Sequence, residues 1–319
     1  MRFRRRSLRA AQLSTPKSLL EKPPEVHRSL RVAAAFMPRG KGVVTRRLRL
    51  SRIGVAAAEP VLGLRGVEVA QVSPTAHVRV HRHRGGSEPA SAVLWIHGGG
   101  YVLGSARLED RTCRRMAESL SAVVVAVDYR LAPEHPYPAA LDDCYAALTW
   151  LAARPEVDPH RIVVAGVSAG GGLAAALALR CVDAGSVDLA GLALQYPMLD
   201  DRTAVGSSPP ALGWTPHDNR FGWRSYLATD PGADGISAYA APARRTDLTG
   251  LPPTWIGVGT ADLFHDEDVD YARRLRVAGV PTKLELIRGA FHGFDVTPGS
   301  GLAHSFKRAR LAAIRDFLG

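Results

Sequence analysis

The chain has 319 residues, 46% apolar and 22% charged, with a mean hydropathy of −0.04, a composition that excludes a disordered or fibrous protein. Its net charge of +11 is uneven: residues 1–52 hold 15 Lys and Arg against two Asp and Glu, leaving the rest close to neutral. The length allows one large domain with an insertion, or two ordinary domains.

The basic arm comes first. It carries no recognised nucleic-acid signature, so it reads as a solvated helical segment rather than a nucleic-acid or anionic-surface binder. Its longest apolar run, Val32-Ala-Ala-Ala-Phe-Met37, is too short and too late for a signal-peptide core. No run anywhere approaches the ~18 to 20 apolar residues of a membrane span. The expectation is a cytoplasmic protein without stable membrane insertion.

Short β-branched runs then alternate with helix-period stretches. The spacing predicts strands over Val67–Val72, His77–His83, Ala92–Ile96, Ala122–Val127, Ile162–Gly166, Leu189–Gln195, Thr254–Val258 and Thr282–Ile287. Helices are predicted over Asp110–Ser119, Ala139–Ala153, Gly170–Asp183, Asp266–Ala278 and Ala303–Phe317. This β-α rhythm predicts a mostly parallel sheet covered on both faces, with the first two strands antiparallel at the edge. On that edge His81 and His83 read as exposed rather than as a metal pair. Cys113, Cys144 and Cys181 match no zinc spacing and read as small buried hydrophobes. No metal or cofactor is expected.

From Leu199 to Leu251 the rhythm stops. A structureless loop of that length is improbable, so a helix around His217–Leu227 and an insertion over one end of the sheet are expected. The organisation read from the chain is a basic arm over 1–55 forming part of a cap, a core over 56–198, a cap insertion over 199–251, and the rest of the core over 252–319.

Within this frame Gly166-Val-Ser168-Ala-Gly170 satisfies G-x-S-x-G between a predicted strand and a predicted helix. A nucleophilic hydroxyl held on such a strained turn needs glycine on both flanks, and the helix that follows brings its positive end to the developing oxyanion. The same glycines formally fit a dinucleotide fingerprint over Gly170–Ala175, but no acidic residue ends the next strand, where Gln195 and Tyr196 stand. A phosphate loop fails because no Gly-Lys-Ser/Thr follows. One β-α unit earlier, His97-Gly98-Gly99-Gly100-Tyr101 closes a strand with three glycines. That is a turn suited to presenting unobstructed N–H groups, with His97 as a local hydrogen-bond donor rather than a base.

These two motifs, with Asp128-Tyr-Arg-Leu-Ala-Pro-Glu-His-Pro-Tyr-Pro-Ala-Ala-Leu-Asp-Asp143 between them, resemble the bacterial hormone-sensitive-lipase-like esterases of the α/β-hydrolase superfamily. The resemblance covers roughly residues 60–319. It implies a central, mostly parallel eight-stranded sheet flanked by helices, with a helical cap. It further implies oxyanion-hole N–H groups at Gly99, Gly100 and Ala169. Val167 departs from the family, which usually has Asp or Thr there. After Ser168 the histidines are His217, His265, His292 and His304; His292, in a loop after the last strand, resembles the family base. Thr260-Ala-Asp262-Leu-Phe-His-Asp-Glu267 resembles the family acid segment, with Leu263 in place of proline and Asp262 as the acid. Asp266, Glu267 and Asp268 read as acids opposing a helix dipole. Asp142 and Asp143 receive no catalytic role.

The activity implied is that of a serine carboxylesterase: Ser168, His292 and Asp262 would pass short acyl chains through an acyl-enzyme. Tyr101, Trp214, Trp223 and Tyr226 are the candidate pocket walls. The expected partner is a small ester, with no nucleic acid; a homodimer is left open. The alternative is a non-catalytic small-molecule binder on the same fold.

Overall fold

The computed structural model describes residues 25–37, 42, 44–83, 85, 89–205 and 211–319. The start of the basic arm therefore lies outside the described residues. Eight strands form one sheet: β1 Glu68–Gln71, β2 His77–His81, β3 Ala90–Ile96, β4 Val123–Asp128, β5 Val157–Val167, β6 Gly191–Gln195, β7 Thr254–Gly259 and β8 Thr282–Ile287. Their spatial order is β1-β2-β4-β3-β5-β6-β7-β8. The pairs β1–β2 and β2–β4 are antiparallel and all others parallel. All eight predicted strands are present, most with ends shifted by a residue or two, and β5 starting five residues earlier.

The helices are α1 Arg31–Phe36, α2 Val44–Leu62, α3 Asp110–Leu120, α4 Ala139–Ala152, α5 Ala169–Ala184, α6 Pro216–Leu227, α7 His265–Val277 and α8 Gly301–Leu318. The two-residue period of the strands divides the core. Leu94 and Ile96 of β3 face a cluster with α4, α5, α6 and α7, whereas Val93 and Trp95 face one with α1, α3 and α8. Strands buried on both faces carry no polar alternation, which is why β3, β4, β6, β7 and the second half of β5 read as apolar runs. All three cysteines are buried and free. No helix among the described residues is long and apolar enough to cross a membrane.

One expectation fails at the sheet's antiparallel side. His81 is not exposed: β2 is an inner strand, lying between β1 and β4. The His81 ring is buried with Nε2 3.3 Å from Asp110 Oδ1, and Asp110 also takes a two-pronged ion pair from Arg79 at 2.7 and 2.8 Å. Burial, opposed by the Asp110 charge, draws the His81 pKa down to about 4.

The described part of the arm is helical. His27 N–H donates to Gly289 O at 2.9 Å, and Leu30 and Ala34 are buried against the α3–α8 side. On the other side α2 runs past residue 55 to Leu62, and its first N–H donates to Asp218 Oδ1 of α6 at 3.1 Å.

Candidate active site

β5 runs straight into α5, and Ser168 occupies the junction with φ 56° and ψ −122°, a conformation L-residues rarely hold unless their surroundings enforce it. The enforcement is visible. Ser168 N–H donates to Gln195 O at 2.9 Å, and its carbonyl accepts from Gly172 at 3.1 Å and Met198 at 3.0 Å. A methyl group on Gly170 would come within 2.2 Å of Ile96 O, so only glycine permits β3 and the elbow to meet this closely.

The loops after β7 and β8 bring two further groups to the same end of the sheet. His292 Nε2 lies 2.9 Å from Ser168 Oγ, and Nδ1 lies 3.1 and 3.0 Å from the two oxygens of Asp262. A buried carboxylate against Nδ1 makes that nitrogen the donor and leaves Nε2 to accept from the hydroxyl. Phe264 N–H donates to Asp262 Oδ1 at 3.0 Å and fixes the carboxylate. The imidazole is packed edge-on between Tyr196 and Phe264, with centroids at 4.5 and 5.1 Å. All three side chains are buried.

Opposite them lies the turn after β3. Gly99, Gly100 and Tyr101 have φ values of 123°, 60° and 65°. Gly99 O accepts from Val102 N–H at 3.1 Å and Leu103 N–H at 2.9 Å. Because a trans peptide points its carbonyl and its N–H in opposite directions, this pins the Gly100 N–H the other way. Among the described residues no backbone acceptor takes the N–H of Gly99 or Gly100. Ala169 contributes the first N–H of α5, which a helix leaves unpaired. The turn presses on the elbow, since a methyl on Gly98 would meet Val167 O at 2.9 Å and Ser168 Cβ at 3.2 Å. Val167 also presents Cγ1 there, an apolar atom where a family Asp or Thr would place oxygen. His97 Nδ1 bonds Gly98 O at 2.8 Å, and the ring stacks on Tyr129 at 4.2 Å while burial lowers its pKa.

The segment between β6 and β7 lies against these groups. Trp214 sits over Gly100, where an added methyl would come within 2.1 Å of Cη2, and a methyl on Gly213 would lie 2.3 Å from His292 O. Tyr101, Trp223 and Tyr226 are instead fully buried in one aromatic stack, with Tyr101 and Tyr226 centroids at 4.0 Å. They join α6 to the turn after β3; only Trp214 of the four lies directly over a site glycine.

Other sequence candidates fall elsewhere. His265 pairs with the exposed Asp266 at 2.8 Å. His217 lies in the first turn of α6 and His304 in the first turn of α8. Glu267 and Asp268 stand in the first turn of α7 as expected, but both are buried rather than solvated. Glu267 accepts from Leu199 N–H at 2.7 Å, from Asp200 N–H at 3.2 Å and from Thr203, and burial raises its pKa to about 8. It thereby ties the loop after β6 to the helix that follows Asp262. Asp143 is buried in an ion pair with Arg130 at 2.8 Å. Among the described residues no group of three or more His, Cys, Asp or Glu is arranged to hold a metal.

A family model for the alpha/beta hydrolase fold matches residues 93–296, which contain Ser168, Asp262, His292 and the glycine turn. The chain belongs to the α/β-hydrolase family. Within it the chain falls in the bacterial hormone-sensitive-lipase-like esterase group, on its similarity to mycobacterial esterases and to solved esterase structures. The chain is 38% identical over 213 residues to esterase LipI of Mycobacterium tuberculosis, covering 64% of this chain and 66% of that one, just under two thirds of its length. It is similar to the solved structure of a bacterial heroin esterase, with a TM-score of 0.84, 34% identity, and 92% and 98% of the two chains covered. It is also 32% identical over 225 residues to a gibberellin receptor of Arabidopsis thaliana, covering 67% and 65% of the two chains.

Proposed function

We propose that this α/β-hydrolase is a serine carboxylesterase of short-chain acyl esters. The observation that carries the reading is the unbroken line from Ser168 Oγ through His292 to Asp262, at 2.9 and 3.0 Å. Ser168 Oγ attacks the ester carbonyl as His292 Nε2 takes its proton, and Asp262 steadies the imidazolium that forms. The carbonyl oxygen becomes an oxyanion held by the N–H groups of Gly99, Gly100 and Ala169, each worth about 3 to 4 kcal/mol. His292 then protonates the departing alkoxide, and the acyl-enzyme is cleared by a water that His292 activates. Trp214, seated over Gly100, bounds the space for the acyl chain, which supports a short-chain preference. Residues 199–251 together with α2 act as the cap, and the proposed working place is the cytoplasm.

The similarity to a hormone receptor favours a second reading, a non-catalytic small-molecule binder. Turnover of p-nitrophenyl esters from acetate to laurate separates the two. The esterase reading expects hydrolysis that peaks at short chains and falls about 10⁴-fold or more in Ser168→Ala with the unfolding midpoint preserved. No hydrolysis of any ester, or full activity in Ser168→Ala, would overturn it.

A further inference from the structure

The basic arm has a described contact with the site's scaffold that the esterase reading leaves unused. Arg52, in α2, reaches across the chain with three hydrogen bonds: Nε to Val102 O at 3.0 Å, Nη2 to Ala132 O at 2.7 Å, and Nη1 to Glu134 at 2.8 Å. Both carbonyls belong to the support of the glycine turn. Val102 O shares a rigid peptide plane with Leu103 N–H, which donates to Gly99 O at 2.9 Å. Gly99 O in turn shares its plane with Gly100 N–H. The second bond on Gly99 O is braced less directly, from the residue whose carbonyl Nη2 holds but across its Cα rather than through one peptide plane. Ala132 N–H donates to Tyr101 O at 3.0 Å, and the other end of that peptide, Val102 N–H, donates to Gly99 O at 3.1 Å.

We infer that Arg52 is a positioning residue for ester hydrolysis: through the Val102–Leu103 and Gly99–Gly100 peptides it aims the Gly100 N–H at the oxyanion. The inference rests on the reading of Gly100 as an oxyanion donor. Planar peptides hydrogen-bonded in series transmit orientation with little slack, and each bond polarises the next in the same sense. A guanidinium at the far end strengthens the donor at the near end. It does so without touching substrate. Lysine cannot duplicate it, because one ammonium lacks the planar fork that spans two carbonyls. The arm, whose composition suggests a solvated appendage, thus supplies part of the transition-state support from α2.

The test uses the full chain as wild type, Arg52→Ala and Arg52→Lys. The measurements are kcat and KM on p-nitrophenyl acetate, the inhibition constant of n-butylboronic acid as a tetrahedral mimic, and the fraction of Ser168 titrated by p-nitrophenyl diethyl phosphate. In Arg52→Ala, kcat/KM and boronate affinity should fall together by roughly tenfold, less than the 10²- to 10³-fold lost with a donor removed outright. The titrated fraction should stay near that of wild type, and Arg52→Lys should fall between the two. Free guanidinium at tens of millimolar should restore activity to Arg52→Ala where sodium chloride does not. It has access through a surface cavity of about 490 Å³ beside Arg52, Gly104 and Glu134. Wild-type boronate affinity in Arg52→Ala would overturn the inference. So would a loss accounted for by fewer titratable sites and unrelieved by guanidinium, which is a merely structural role. If Arg52→Ala does not fold, unchanged boronate affinity in Arg52→Lys overturns it equally. A wild type without any turnover would sink the esterase reading instead, before the variants are compared.

Discussion

Gly166–Gly172 and His97–Leu103 are both glycine-rich corners at the carboxyl end of a parallel strand, yet only the first leads directly into a helix. The elbow is held by backbone on every side: α5 begins at Ala169, Ser168 O accepts from Gly172 at 3.1 Å and from Met198 at 3.0 Å, and Ser168 N–H donates to Gln195 O at 2.9 Å. The turn after β3 does not pass straight into a helix; besides its own bonds to Gly99 O it is braced from a distance. Tyr129 supplies a hydroxyl to His97 O at 2.9 Å, Ala132 an N–H to Tyr101 O at 3.0 Å, and Arg52 its guanidinium. A corner locked by backbone has nothing that can yield, whereas one braced by side chains can yield at each brace. The two corners should therefore fail differently.

The largest effect should come from wedging the elbow. Gly170→Ala drives a methyl into the backbone oxygens of Ile96 and His97, at 2.2 and 2.3 Å, which no side chain can relieve. A loss of about 3 kcal/mol or more in urea unfolding is expected, and no second-site trimming should recover it. The turn should behave otherwise. Gly100→Ala meets the Trp214 indole at 2.1 Å, so kcat/KM should fall about 100-fold while Trp214→Leu in the same chain returns part of it. The remainder is the left-handed φ of 60°, a cost of about 1 kcal/mol for alanine. Equal failure to rescue at both positions would erase the distinction between the corners.

A smaller effect is expected from a single brace. Tyr129→Phe removes the bond to His97 O and should lower stability by about 1 kcal/mol, with kcat reduced severalfold in steady-state assays. The smallest is a pH effect confined to the turn, since the elbow contains no buried histidine. Burial lowers the His97 pKa below its unfolded value near 6.5. The stability contributed by the neutral ring is therefore complete above pH 6.5 and lost as pH falls towards the folded pKa. Urea midpoints of wild type and His97→Gln should converge on acidification through that window. His81, far from the site and with a pKa of about 4, supplies the control. His81→Gln should flatten the stability slope between pH 6.5 and 4 and leave kcat unchanged.

The same contrast explains what could be read from the chain. The β-α rhythm, the elbow and the order Ser168, Asp262, His292 are written in short, contiguous patterns, and all three side chains meet in space. Support that spans the chain is not so written. Nothing around Arg52 distinguishes it from the other arginines of the arm, because its acceptors are carbonyls 50 and 80 residues away. The burial of His81 is hidden for a related reason: a strand of alternating polar residues looks like an edge until a second neighbour, β4, lies beside it. Glu267 gave a true signal, an acid in a first helical turn, but its burial depended on a loop from β6 that local spacing does not show.

The buried cysteines carry a practical consequence. Burial raises the thiols of Cys113 and Cys144 well above the usual range, and that of Cys181 to about 11, so none offers a reactive thiolate near neutrality. A cysteine introduced at Leu50, an exposed position of α2, would then be the one site a maleimide dye labels. The natural chain is in that sense already a blank background for a dye, on which the surroundings of α2 during turnover can be recorded directly.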